Sequence, residues 1–229
     1  MSFLTRIRRL LQADRTWEGI RHQPQIHLYA GHVPDRPEYQ GKIGLSLTGA
    51  DTRHLWHDMT RPFPIPDGRV DSFQSEDVFE HIDFAVLSSV IDEIYRILKP
   101  GGRFRLSLPD YGFDGYRERS EIDADGNIVF DPEGGGTREH PGHVWFPRID
   151  SLQRLLETTR FHREGTIHYL HYTGMDGSFV TEPIDYRYGH IMRTPDFDER
   201  AMSPYRPLSL VADLIKSNTA AHPPGGPGG

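Results

Sequence analysis

The 229-residue chain contains no cysteine. That excludes disulfides, thiolate nucleophiles and cysteine-ligated zinc or iron–sulfur sites together. Lysine is scarce: Lys42, Lys99 and Lys216 are the only lysines among 26 basic residues, so the rest are arginine. Acidic residues number 33 and the formal net charge is −7. Nucleic acid is therefore not an expected partner, because duplex binding depends on cations neutralising phosphates. No run approaches the ~18–20 apolar residues that span a bilayer. Arg6, Arg8 and Arg9 break the first eleven residues where a secretion signal would be apolar. The expectation is a cytoplasmic protein without an integral membrane segment. A phosphate-binding P-loop, an HExxH zinc motif and a serine-nucleophile elbow are also missing.

The 25 aromatic residues are enough to build a core. Residues 2–13 place Phe3, Leu4, Ile7, Leu10 and Leu11 at helical spacing, which predicts an amphipathic arm within 1–22. Residues 23–217 read as the folded domain, and 218–229, ending HPPGGPGG, as a disordered tail. Inside the domain, 26–30, 42–47, 53–57 and 70–75 read as strands. A helix follows over 84–98, with Phe84, Leu87, Val90, Ile91, Ile94 and Ile97 in period, and Lys99-Pro100-Gly101-Gly102 ends it. The strand 103–109 comes next. Strand–helix–strand around a glycine stop marks a parallel crossover, and the alternation predicts an α/β fold with helices on both faces of the sheet. Residues 111–148 lose the helical period and contain a hairpin signal at Asp125-Gly126, so they read as a cap inserted after the fifth strand. A helix over 150–160 and late strands at 166–172 and 207–216 complete the pattern.

Two stretches, HDMTRPFPIPDGRVDSFQSEDVFEHI (57–82) and IDEIYRILKPGGRFRLSLPD (91–110), resemble the class I, Rossmann-like S-adenosylmethionine (SAM)-dependent methyltransferases. HVWFPRIDSLQRLLETTRF (143–161) is similar to the family's next segment, a His-containing loop entering a helix. The resemblance implies a Rossmann-like sheet, SAM as cofactor, and methyl transfer to an oxygen or nitrogen of a small polar acceptor, such as a sugar. The alternative from a different class is a degenerate methyltransferase-like binding or scaffold protein that no longer uses SAM. Two departures favour that alternative: the first loop, Tyr29-Ala30-Gly31-His32-Val33-Pro34, has one glycine, and Ser46 stands where the family carries an acid at the end of strand two. The second departure predicts weak SAM binding.

Ligands of open parallel sheets sit beyond the carboxyl ends of the strands. The expected cofactor residues are therefore Tyr29, Ala30, Gly31, Ser46, Asp58, Met59, Ser75 and Glu76. Asp58 would accept from the adenine amino group, Met59 would pack on the purine, and Glu76 would meet the methionine ammonium. The resemblance puts the 140–146 loop over the acceptor, so His143 is expected as base or substrate ligand with His140 beside it. Asp110 and Tyr111 would orient them. A histidine base would titrate near neutrality. Arg117, Arg119, Arg193 and Arg200 can be read as an anion clamp or as locally paired surface residues. The pairs His140/His143 and His168/His171 have chelating spacing, but neither carries a metal expectation. Homo-oligomerisation stays open.

Overall fold

The computed structural model describes residues 15–218; the predicted amphipathic arm at 2–13 and nearly all of the tail lie outside them. A short helix, α1 (Trp17–Ile20), leads into β1 (His27–Ala30), β2 (Ile43–Ser46), β3 (His54–Trp56) and β4 (Val70–Glu76). Then come α2 (Phe84–Ile97) and β5 (Leu98–Pro109). The cap holds α3 (Asp114–Arg119) and a separate hairpin, β6 (Glu121–Ile122) with β7 (Ile128–Phe130). The chain closes with α4 (Ile149–Glu157), α5 (Arg160–Glu164), β8 (Gly165–Thr173), β9 (Phe179–Thr181) and β10 (Ser209–Lys216).

The eight-stranded sheet runs β3-β2-β1-β4-β5-β10-β8-β9. β3 through β5 are parallel, and β10 is antiparallel to both of its neighbours. Strand order reverses between β1 and β4, which creates the crevice where such sheets bind ligands. The sheet is therefore α/β and Rossmann-like. β9 extends it through a hairpin with β8.

One side of α2 carries Leu87, Val90, Ile91, Ile94 and Ile97, all buried. Asp83 caps its start by accepting from the Ala85 amide at 3.0 Å. Each fully buried Leu or Ile contributes about 1.5–3 kcal/mol. The helix stops where Leu98 becomes extended. A Cβ at Gly102 would lie 2.8 Å from the Lys99 carbonyl, so the tight entry into β5 requires glycine there. Leu28, Phe73, Phe104, Leu106 and Leu210 face α2, α4 and α5 in one core.

The other face corrects the expectation of helices on both sides. Among the described residues it is covered by irregular segments, residues 31–42 and 182–206, that include short 3-10 turns. The physical reason lies in the strands. Gln74, Glu76, Arg105 and Asp213 point to this face, and buried polar groups need donors and acceptors that a helix surface does not offer. Arg105 forms a two-point ion pair with Asp213 at 2.8 Å and donates to the carbonyls of Asp185 and Gly189. Gln74 donates to the His190 carbonyl. No helix among the described residues is long and apolar enough to cross a membrane.

Candidate functional site

A cavity of about 500 Å³ opens at the switch point, beyond the ends of β1, β2 and β3 and beside the start of α2. That volume lies within the range of small-molecule sites. Gly31, Ser46, Asp58 and Met59 line it, as do Thr48, His81, Ile82 and Val86. Met59, Ile82 and Val86 make an apolar shelf. Asp58 folds into an Asx turn: its Oδ1 accepts from the Thr60 amide at 2.9 Å and hydroxyl at 2.7 Å. These Thr60 hydrogen bonds hold its carboxyl below the usual range. Among the described residues its Oδ2 meets only Arg61, at 3.5 Å. Ser46 Oγ and Thr48 Oγ1 are 3.0 Å apart at the rim.

Four expected cofactor residues do not line this cavity. Ala30 and Ser75 are buried in the sheet. Tyr29 lies on the other face, its hydroxyl donating to Glu76. Glu76 turns the same way, because its carboxylate accepts from Tyr39, Tyr29, Gln74 and the Met192 amide. It fastens the 182–206 segment instead of meeting a ligand. The entrance to α2, Ile82 to Val86, was missed as lining; the Asp83 cap was the available signal, since a helix start beyond a strand end belongs to the rim.

The cap side also departs from expectation. Asp110 is fully buried, its Oδ1 accepting from the Gly112 amide and its Oδ2 from the Thr173 amide. It shapes the chain and does not orient a histidine. His140 is exposed in a turn, where its amide donates to the Thr137 carbonyl. Tyr111 does meet His143, at 2.6 Å between its hydroxyl and Nδ1. His143 packs edge-on to His81, with ring centroids 4.8 Å apart. Burial, and then the neighbouring His81, push His143 down to about 4, so it does not titrate near neutrality as a free histidine base would. Burial pushes the adjacent Glu80 up to about 8.

The arginines follow the locally paired reading. Arg117 donates to the Gly126 carbonyl, Arg119 pairs with Asp131 and Glu133, Arg193 with Asp77, and Arg200 with Asp198. His168 is exposed on β8, while His171 is buried with Nε2 on the Glu182 carbonyl, so the two do not converge.

Residues 46–106 match the family model of a methyltransferase domain. A probable S-adenosylmethionine-dependent methyltransferase of Mycolicibacterium smegmatis is 31% identical over 143 residues, covering 58% of this chain and 48% of that protein. The chain thus spans about half the length of the curated relative it matches. Among solved structures, a SAM-dependent methyltransferase from Methanosarcina mazei aligns with a TM-score of 0.47 at 15% identity, over 87% of this chain and 96% of that one. One from Mesorhizobium loti aligns with a TM-score of 0.46 at 16% identity, over 83% and 90%. The matched stretch begins at Ser46 on the cavity rim and runs through Asp58, Met59 and the start of α2 into β5. Sequence likeness and cavity coincide there: over residues 46–106 the chain is similar to the methyltransferase-domain family.

Proposed function

We propose that the chain transfers a methyl group from SAM to an oxygen or nitrogen of a small polar acceptor. The observation that carries this reading is the switch-point cavity with Ser46, Asp58 and Met59 on one rim. The apolar shelf of Met59, Ile82 and Val86 suits a purine face. Asp58 Oδ2, unpartnered among the described residues apart from Arg61, suits an exocyclic amino donor. The paired hydroxyls of Ser46 and Thr48 suit a ribose diol, though without the two-oxygen acceptor of a carboxylate. The residues therefore fit a nucleoside, held less tightly than an acid at position 46 would hold it.

The cofactor supplies a methyl already activated on a sulfonium. The protein's part is to align the two reactants and to exclude water. Trp145, with its indole donating to the Phe79 carbonyl at 2.9 Å, ties the cap loop down on the segment that leads into α2. The degenerate-scaffold alternative is not favoured, since residues 46–106 still match a methyltransferase-domain model.

Calorimetric titration of the full chain with S-adenosylhomocysteine tests the reading. Binding is expected in the micromolar to millimolar range. Asp58→Ala should weaken it by about 1.5–3 kcal/mol, the size of a hydrogen bond to a charged group, or roughly 10- to 150-fold. A folded protein that binds neither SAM nor its product, or an Asp58→Ala variant that binds as the parent does, overturns it.

A further inference from the structure

Beside the cavity, the side chains of Glu80, His81 and His143 converge. Glu80 is fully buried, and among the described residues neither of its carboxylate oxygens has a hydrogen-bond partner. His143 Nε2 lies 3.7 Å from Glu80 Oε1, and His81 Nε2 lies 3.9 Å from the same oxygen. One ligand atom from each of the three falls within 4.8 Å of the others.

The surrounding hydrogen bonds fix which nitrogen carries the proton in each imidazole. His81 Nδ1 is 2.8 Å from the Gly142 carbonyl, which can only accept, so Nδ1 holds the proton and Nε2 presents a lone pair. Tyr111 donates its single hydroxyl proton to Asp131 Oδ2 at 2.6 Å. The 2.6 Å contact between Tyr111 and His143 must then be donated by His143 Nδ1–H, which leaves the Nε2 lone pair facing Glu80. Arg119 holds Asp131 from the far side. A histidine that donates its second nitrogen to a carbonyl, or through a hydroxyl to a carboxylate, is arranged as metal-ligating histidines are.

The geometry points to a built site for a first-row divalent cation, ligated by Glu80, His81 Nε2 and His143 Nε2. Two imidazoles and one carboxylate select cations of the zinc, cobalt, manganese or ferrous class over magnesium or calcium, which take oxygen ligands. Ligands at about 2.0–2.2 Å from a tetrahedral centre stand roughly 3.3–3.6 Å apart. The 3.7 and 3.9 Å separations need to close by a few tenths of an ångström, and the two imidazole nitrogens, within 4.8 Å of each other, by up to about 1.2–1.5 Å. A Cβ at Gly134 would sit 2.7 Å from His143 Cγ, so the 134–136 turn packs directly on that ring and holds it in place.

His81 also lines the switch-point cavity, so remaining coordination positions open toward it. A hydroxyl acceptor bound there would lose its proton more readily, as metal-bound water does. That use rests on the methyl-transfer reading; the binding of the cation does not.

The test is titration of the full chain, stripped with chelator, with Co²⁺ followed by its visible absorption, and with Zn²⁺ and Mg²⁺ by calorimetry. One equivalent of Co²⁺ should bind with bands of nitrogen-containing coordination, Zn²⁺ should compete, and Mg²⁺ should bind at least tenfold more weakly. Glu80→Gln, His81→Gln and His143→Gln should each lose tenfold or more in affinity, and Tyr111→Phe should weaken it. His140→Gln should bind as the parent does. His81 is 43% exposed, so His81→Gln keeps the test alive if the buried variants fail to fold. No bound cobalt in the parent, or binding that all three ligand variants retain, overturns the proposal. Failure of S-adenosylhomocysteine to bind while cobalt does would overturn methyl transfer and leave the cation site standing.

Discussion

Asp213→Ala should be among the most damaging single substitutions in this chain. Arg105 and Asp213 are 1% and 3% exposed and pair through two 2.8 Å hydrogen bonds across β5 and β10. Arg103 reaches the same carboxylate. Removing Asp213 leaves the buried Arg105 guanidinium without a counter-charge. Breaking a buried pair in this way costs about 3–5 kcal/mol. For a chain of this length that corresponds to a Tm drop of roughly 6–20 °C, at about 2–4 °C per kcal/mol. Arg105→Met should cost less, because Asp213 keeps Arg103. The double variant Arg105→Met with Asp213→Leu should recover much of the loss, since hydrophobic replacement of a buried pair is often neutral. Urea denaturation followed by tryptophan fluorescence supplies the four corners of the cycle. The pair sits on the face opposite the core helices and holds the 182–206 segment, so the cofactor affinity of folded Asp213→Ala should change little. A cost under 1 kcal/mol, or a double variant worse than the sum of the singles, would refute the reasoning.

Ser46→Asp should tighten S-adenosylhomocysteine binding about tenfold or more, by restoring an acceptor pair at the end of β2; unchanged calorimetric affinity would mean the ribose lies elsewhere. Trp145→Phe deletes one hydrogen bond to the Phe79 carbonyl, about 0.5–1.5 kcal/mol plus the lost ring contacts; thermal unfolding with no shift would show that the cap loop is held by other contacts. Lys42 is held down to about 8 by burial and, secondarily, by Arg105, while the unfolded chain keeps it near 10.4. The folded state therefore binds fewer protons across that window, and the parent gains stability as pH rises through it. Lys42→Met should stabilise more at pH 7.5 than at pH 9.5 in chemical denaturation; an equal gain at both values would show that Lys42 is not strained.

What the sequence alone determined is what local order controls. The helical period expected over 84–98 appears as Phe84–Ile97, ending just before Lys99-Pro100-Gly101-Gly102, though these residues already run in β5, and the hairpin forms around Asp125-Gly126, because spacing and turns act over a few residues. Gly31, Ser46, Asp58 and Met59 were legible as rim residues for the same reason: each follows a strand, and strand ends share one edge of a parallel sheet. Only the tertiary structure decided the partners of polar groups distant in sequence. Glu76 was read as a ligand residue until the Met192 amide, 116 residues away, proved to be one of its donors. Arg105 and Asp213 lie 108 residues apart and meet because β10 enters antiparallel beside β5. Glu80 and His81 face His143 because the cap loop folds back over the start of α2, with the Val144 amide donating to the Glu80 carbonyl at 2.9 Å. The apolar pattern marks which positions are buried, but a buried charge takes whatever partner the chain brings across the sheet, and that pairing is fixed by topology rather than by spacing.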